Sequence, residues 1–166
     1  MSDEAYTGIT IDDETTLDMD DAVWVEEADN GGWRVRVMIA DVSEMVHQNT
    51  ETDRIALSKV ETRYYARGSN PMLPRYFSED RLSLRQGEPR DVLVIDLLLD
   101  GDLGILDTLL YGGVLKSEAR LSYSDIPGIL SDKEHPLQAL IGRMSRLASG
   151  LLLQRRNRGA LVFYDL

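Results

Sequence analysis

Val23-Trp24-Val25-Glu26-Glu27-Ala28-Asp29-Asn30-Gly31-Gly32-Trp33-Arg34-Val35-Arg36-Val37-Met38-Ile39-Ala40 decides the fold of this chain. Val23 to Glu27 and Trp33 to Ala40 read as two strands. Asp29-Asn30-Gly31-Gly32 joins them in a tight turn, because Asn-Gly and Gly-Gly supply the positive φ that such hairpins require.

Directly upstream lies an acidic stretch, Ile9-Thr10-Ile11-Asp12-Asp13-Glu14-Thr15-Thr16-Leu17-Asp18-Met19-Asp20-Asp21-Ala22-Val23, which leads into that sheet. Carboxylates as close as Asp12, Asp18, Asp20 and Asp21 repel one another and raise each other's pKa unless a cation neutralises them. Mg²⁺ is the cation this set suits. It takes hard oxygen ligands in near-octahedral array and is commonly held by one or two carboxylates plus substrate phosphate oxygens. An EF-hand Ca²⁺ loop needs Gly at its sixth position and Glu at its twelfth, and no window starting at Asp12, Asp18 or Asp20 supplies both. The competing reading is a solvated acidic loop. Against it, Ile9, Ile11, Met19, Ala22 and Val23 interleave with the acids and set them against apolar structure.

The 166 residues amount to about one domain, and a hydrophobic fraction of 43% is that of an ordinary globular protein rather than a disordered one. With no cysteine there are no disulfides, thiolate zinc sites or cysteine nucleophiles, which fits a reducing cytoplasm. No apolar run approaches a membrane span, and the start Met1-Ser2-Asp3-Glu4-Ala5 is acidic where a signal peptide is basic. A soluble cytoplasmic protein is expected. The net charge of -11 runs against nucleic-acid binding, since Lys and Arg normally supply the phosphate contacts. Cations at the Asp cluster would offset part of it, and Arg63, Arg67, Arg75, Arg81, Arg85 and Arg90 fall in one central stretch, with Arg155, Arg156 and Arg158 near the end.

Further elements follow from local pattern. Thr50-Glu51-Thr52-Asp53 resembles an N-cap with an acidic first turn, and Ile55, Leu57, Val60 and Tyr64 then recur at helical spacing until Gly68, predicting a helix of about four turns. Asn70-Pro71-Met72-Leu73-Pro74 is an ordered irregular loop, its prolines removing donors and holding their predecessors extended. Ser78 to Leu84 is a short turn or helix. Val92 to Leu99 and Ile105 to Leu115, parted by Asp100-Gly101-Asp102, read as a hairpin of buried strands. Leu137, Leu140, Ile141, Met144, Leu147 and Leu151 make Leu137 to Arg156 an amphipathic helix with a basic end. Ala160 to Leu166 look like the start of a strand. The fold class expected is α+β, antiparallel hairpins in a mixed sheet packed by two longer helices, with the Asp cluster at the strand edge.

In order along the chain, the Asp motif at Ile11 to Ala22, Ile39-Ala40-Asp41-Val42-Ser43, Pro71-Met72-Leu73-Pro74, Ser78 with Leu82-Ser83-Leu84, Lys116-Ser117-Glu118-Ala119-Arg120-Leu121-Ser122-Tyr123, and Arg158-Gly159-Ala160-Leu161 resemble the first part of the catalytic (RNB) domain of the ribonuclease II family. The resemblance covers nearly the whole chain from about Ile9, so residues 1-166 are expected to be the N-terminal part of such a domain, with 1-8 a flanking segment. It implies hydrolysis of single-stranded RNA from the 3′ end with Mg²⁺, releasing nucleoside 5′-monophosphates. It implies that Asp12, Asp18 and Asp21 hold metal, directly or through water. Asp20 is then the catalytic carboxylate, orienting the attacking water. Tyr64 aligns with the aromatic on which a base near the RNA 3′ end stacks; read from the residues alone it is a core tyrosine sharing a helix face with Val60, and Tyr65 takes its place if the register slips by one. Pro71 to Pro74 is either a rigid loop closing over the core or an RNA contact. Asp41 either supports the metal ligands or caps a turn. His47 and His135 are taken as surface residues.

Two departures accompany the resemblance. The chain has no sequence for the OB-type RNA-binding barrels that flank this domain in many relatives, nor the later Ser-Pro-Ile-Arg type motif with its catalytic arginine. The expected partners are therefore single-stranded RNA and the remainder of a catalytic domain in a longer enzyme, with flanking OB-type domains. The alternatives are a catalytically inactive RNA-binding or scaffold module of the same fold, and an unrelated Mg²⁺-dependent phosphatase.

Overall fold

The computed structural model describes residues 5–66 and 68–161. Strands β1 (Tyr6–Asp12), β2 (Asp21–Glu27), β3 (Trp33–Ala40), β6 (Pro89–Leu99) and β7 (Ile105–Ser122) close into a barrel in the order β1-β2-β3-β6-β7. A separate two-stranded sheet, β4 (Arg63–Tyr65) with β5 (Gly68–Asn70), lies between β3 and β6 in sequence. The helices are α1 (Glu51–Lys59), α2 (Asp125–Ser131) and α3 (Gln138–Asn157), with a 3₁₀ turn at Val42–Glu44 and a π-helical turn at Tyr76–Arg81. No helix among the described residues is long and apolar enough to cross a membrane.

The hairpin read from Val23 to Ala40 is present in register, Asp21 opposite Ile39 and Glu27 opposite Trp33, and Gly31 takes φ +77° in the turn. Closure depends on the length of β7. Its first part pairs antiparallel with β6, Leu98 opposite Asp107 and Pro89 opposite Lys116, while its last part runs parallel to β1, Tyr6 opposite Leu115 and Asp12 opposite Ser122. Close passage at this seam requires glycine: a Cβ on Gly113 would lie 2.8 Å from the Tyr6 ring. Tyr6 to Gly8, expected to belong to a flanking segment, are therefore strand residues.

Three apolar clusters form among the described residues. Met19, Ala22, Met38, Leu73, Leu84, Val92, Val94 and Leu115 form one, and Ile9, Ala119, Ile129, Leu140 and Ile141 a second. Val25, Val35, Leu99 and Leu147 form the third. Thus α3 is amphipathic as expected, its Leu140, Ile141 and Leu147 facing the barrel, and truncating one of these to alanine is expected to cost about 2–5 kcal/mol. Helix α2 was not foreseen; its signals are Asp125 in the first turn and Pro127 beside it, a position where a missing N–H costs little.

Two expectations need correction. The helix predicted from Thr50 to Gly68 has its Thr50 cap, whose hydroxyl accepts the Asp53 N–H, but ends at Lys59. There Val60 turns to φ +70°, a strained conformation for a β-branched residue. The chain is pulled away by Lys59 Nζ, which donates to Asn70 Oδ1 and the Pro71 carbonyl, and by Thr62 Oγ1, which accepts the Met72 N–H. Only Ala56 of this helix packs against the core, and Ile55, Leu57 and Val60 stay exposed. So one long helix packs the sheet, not two. Second, the β6–β7 hairpin is not fully buried: Ile105, Leu106, Leu109 and Leu110 are exposed because nothing among the described residues covers that side. The strand expected at Ala160 to Leu166 falls mostly on 162–166, outside the described residues; Ala160 and Leu161 are irregular.

Candidate metal and nucleic-acid site

Asp12 is the last residue of β1 and Asp21 the first of β2, so the hairpin that joins these strands carries the acidic loop at its tip, at the end of the barrel. Met19, buried in the core, pins the loop and leaves Asp18 and Asp20 on either side of it free to face outward. Ala40 N–H bonds the Asp20 carbonyl at 2.9 Å, tying the loop to the end of β3. Asp13 is spent locally: its Oδ1 accepts from Thr15 N at 3.0 Å and Thr15 Oγ1 at 2.7 Å, which holds its pKa below the usual carboxylate value.

Asp12, Asp18, Asp20 and Asp21 line an open cleft of about 650 Å³ together with Tyr64, Tyr65, Ser69, Arg75 and Glu79. That volume is in the range of small-molecule sites, room for a nucleotide rather than a lone ion. Tyr64 sits on strand β4, a correction to its expected helical setting and to the core reading. The residue is 71% exposed, and its hydroxyl donates to Asp18 Oδ2 at 3.2 Å. Tyr65 lines the same cleft. Partial removal from water, and then Asp18, Asp21 and Asp12 in turn, push the Asp20 carboxyl up to about 6 although it still meets solvent. Asp12 is also raised, by removal from water first and by Asp21 and Asp18, with the Arg120 guanidinium opposing. Removal from water and the neighbouring Asp18 raise the Tyr64 phenol.

These mutual shifts mean the acids share one field. Among the described residues no three acidic or histidine side chains close into a ready-made metal cage. An all-oxygen set this open, acidic and short of counter-charge fits a cation that keeps waters and takes further oxygens from a phosphate.

Other candidates fall elsewhere. Asp41 accepts from Ser43 N at 3.0 Å and Ser43 Oγ at 2.6 Å, capping the 3₁₀ turn, and does not line the acidic cleft. Pro71 to Pro74 closes over the core: Leu73 is buried, and the Pro74 carbonyl accepts the Phe77 and Ser78 N–H groups. His47 is exposed; His135 is half-buried, its Nδ1 accepting the Leu137 N–H. Of the central arginines described, only Arg75 reaches the cleft; Arg85 and Arg90 bond nearby carbonyls and carboxylates. Arg75 was not singled out. It pairs with Glu79 and donates to Ser69 O at 3.1 Å and Ser69 Oγ at 3.0 Å, latching the β4–β5 hairpin over the acids.

Comparison with known proteins agrees with this architecture. The RNB domain profile matches residues 3–166. The chain belongs to the RNB family. It is similar to Exoribonuclease 2 of Cronobacter sakazakii, 34% identical over 163 residues covering 95% of this chain and 25% of that protein. Ribonuclease R of Vibrio parahaemolyticus is 32% identical over 93% of this chain and 19% of its own length. The fold superposes on Mycoplasma genitalium RNase R in complex with double-stranded RNA with a TM-score of 0.85 and 28% identity, over 99% of this chain and 30% of that one. The chain thus spans about a quarter of the length of the curated exoribonuclease 2 relative.

Proposed function

We propose that this RNB chain is part of a Mg²⁺-dependent exoribonuclease that shortens single-stranded RNA from its 3′ end and releases nucleoside 5′-monophosphates. The observation that carries the reading is the meeting of Asp12, Asp18, Asp20 and Asp21 with Tyr64 at one cleft, from segments far apart in sequence. Asp12, Asp18 and Asp21 are the residues that would hold Mg²⁺. When bound, that ion polarises the scissile phosphate and lowers the pKa of the attacking water.

The chain's own groups do the rest. Asp20 orients the attacking water and takes up its proton at a carboxylate oxygen. Tyr64 stacks on a base close to the scissile bond, an interaction worth about 1–3 kcal/mol and indifferent to base identity, as an enzyme that passes every nucleotide needs. Arg75, through Ser69, keeps that aromatic at a fixed distance from the acids. The acidic cleft repels RNA phosphate unless its charge is neutralised, so productive binding of the 3′ end and cation loading go together.

The test is hydrolysis of an end-labelled single-stranded RNA oligomer with and without Mg²⁺, by this chain and by the longest natural polypeptide that contains it. Stepwise Mg²⁺-dependent shortening by the longer form is expected. Binding without shortening would replace this reading with that of an RNA-binding module.

A further inference from the structure

Two of the segments that carry the family resemblance, Leu82-Ser83-Leu84 and Ala119 to Tyr123, contribute no side chain to the acidic cleft. They grip the backbone of its loop instead. Ser83 is fully buried; its hydroxyl donates to the Leu17 carbonyl at 2.8 Å and accepts the Met19 N–H at 3.2 Å, so one side chain holds the peptide on both sides of Asp18. Leu84 N–H adds a bond to the Met19 carbonyl at 2.9 Å. On the other flank Arg120 Nη2 donates to the Glu14 carbonyl at 2.9 Å and the Thr16 carbonyl at 2.8 Å. Tyr123 N–H reaches the Asp12 carbonyl at 3.0 Å, and Ser124 donates its hydroxyl to the Glu14 carboxylate.

The geometry follows from the barrel. Arg120 stands opposite Thr10 in the parallel β1–β7 ladder, two residues short of Asp12, and so projects over the start of the loop. Like charges packed into a short loop spread apart if the backbone lets them, and a spread loop has to be regathered before it can bind a cation. Bonds from Ser83 and Arg120 remove that freedom. They also occupy the Glu14, Thr16 and Leu17 carbonyls.

We infer that Ser83 and Arg120 are positioning residues that hold the Asp12 to Asp21 loop in the shape that gathers its carboxylates for a divalent cation. The inference rests on reading the cleft as a Mg²⁺ site. It predicts that loosening the loop weakens cation binding far more than base stacking at Tyr64, because, besides the Tyr64–Asp18 bond, Lys59, Thr62 and Arg75 tether the β4–β5 hairpin.

The experiment uses the longest natural polypeptide containing this chain and the variants Arg120→Gln, Arg120→Lys and Ser83→Ala. Mn²⁺ binding is measured by calorimetry, the Mg²⁺ concentration for half-maximal RNA shortening by gel, and RNA affinity in EDTA by anisotropy. Arg120→Gln and Ser83→Ala are expected to weaken Mn²⁺ binding at least tenfold and to raise the Mg²⁺ requirement by a similar factor, with RNA affinity changed less than twofold. Arg120→Lys, which keeps the charge and can reach one carbonyl, recovers part of the loss. Unchanged Mn²⁺ binding in folded Arg120→Gln overturns the inference, and because Arg120 is exposed this variant decides even if Ser83→Ala fails to fold. If the parent binds Mn²⁺ but never shortens RNA, the exoribonuclease reading falls while the Mn²⁺ comparison still decides the role of the two residues; a parent that binds no Mn²⁺ ends both.

Discussion

The Tyr64 hydroxyl donates to Asp18 Oδ2 at 3.2 Å, joining the β4–β5 hairpin to the acidic loop across 46 positions of sequence. The bond is one of several tethers on the hairpin and leaves the faces of the ring open. If base stacking is the ring's task, Tyr64→Ala should weaken affinity for single-stranded RNA by about 1–3 kcal/mol, or roughly 5- to 150-fold. Tyr64→Phe keeps the ring and should lose no more than about fivefold, the scale of one net hydrogen bond. Anisotropy with a labelled oligomer in the absence of cleavage distinguishes them. A phenylalanine variant as weak as the alanine one would move the role from the ring to the hydroxyl.

Asp20→Asn should abolish turnover while leaving RNA binding largely intact, since the amide keeps the shape of the carboxylate and cannot take up the proton of the attacking water. Single-turnover gels paired with binding measurements read both quantities. Loss of binding in a normally folded variant would contradict the assigned role.

The raised carboxyls also set a direction for stability. A carboxyl whose pKa is about 6 in the folded chain, against 3.8 for the free group, binds its proton more tightly when folded. In metal-free buffer this contribution to stability therefore grows as pH falls from above 6 towards 4, and is level below that. Asp12 acts in the same direction, while Asp13, Asp96 and Asp125, whose pKa values are lowered, act oppositely. The informative quantity is the difference between parent and Asp20→Asn. Melting in EDTA from pH 7 to pH 5 should show the parent gaining on the variant, and a difference independent of pH would contradict the shift.

How much of this was legible depended on distance along the chain. The hairpin from Val23 to Ala40 could be read because its turn residues dictate its geometry locally, and α3 because its apolar spacing matches the face it buries. The acidic set could be read because its members are sequence neighbours. Barrel closure could not: the pairing of Tyr6–Asp12 with Leu115–Ser122 is parallel and long-range, and leaves no local signal in either segment. The end of α1 was misread because Val60 and Tyr64 continue a helical period that Lys59 and Thr62 override with bonds to Pro71 and Met72. Arg75, Ser83 and Arg120 are ordinary residue types whose meaning lies in bonds that only the folded chain makes.

Away from the cleft, Asp96 is a buried carboxylate on β6. It accepts Nε and Nη2 of Arg34 at 2.9 Å each, Nε of Arg36 at 3.2 Å and the Tyr111 hydroxyl at 3.0 Å. Burial alone would raise its pKa, but the bonds from Arg34, Tyr111 and Arg36 hold it below the ordinary value. Removing one partner of a fully buried ion pair costs about 3–5 kcal/mol; Arg34 is nearly half exposed and can turn to water, so Asp96→Asn should cost about 2–3 kcal/mol. Urea unfolding of parent and variant at neutral pH measures this. A loss under about 0.5 kcal/mol would class the cluster with surface ion pairs.

Arg75 is the remaining latch. Its bonds to Ser69 O and Oγ and its pairing with Glu79 hold the middle of β5, directly opposite Tyr64, while Lys59 and Thr62 hold the stem. Arg75→Ala frees this middle of the hairpin and leaves the stem held. The ring then samples positions away from Asp18, and each productive encounter with RNA has to re-form the stacked geometry, so the cost falls on binding. A rise of about 5- to 10-fold in KM is expected, the range of one or two net hydrogen bonds, with kcat and the Mg²⁺ requirement near those of the parent. Steady-state shortening of a labelled oligomer across Mg²⁺ concentrations gives all three quantities. A shift confined to the Mg²⁺ requirement would instead tie Arg75 to the acidic loop, and would make the hairpin part of the cation site rather than of the RNA grip.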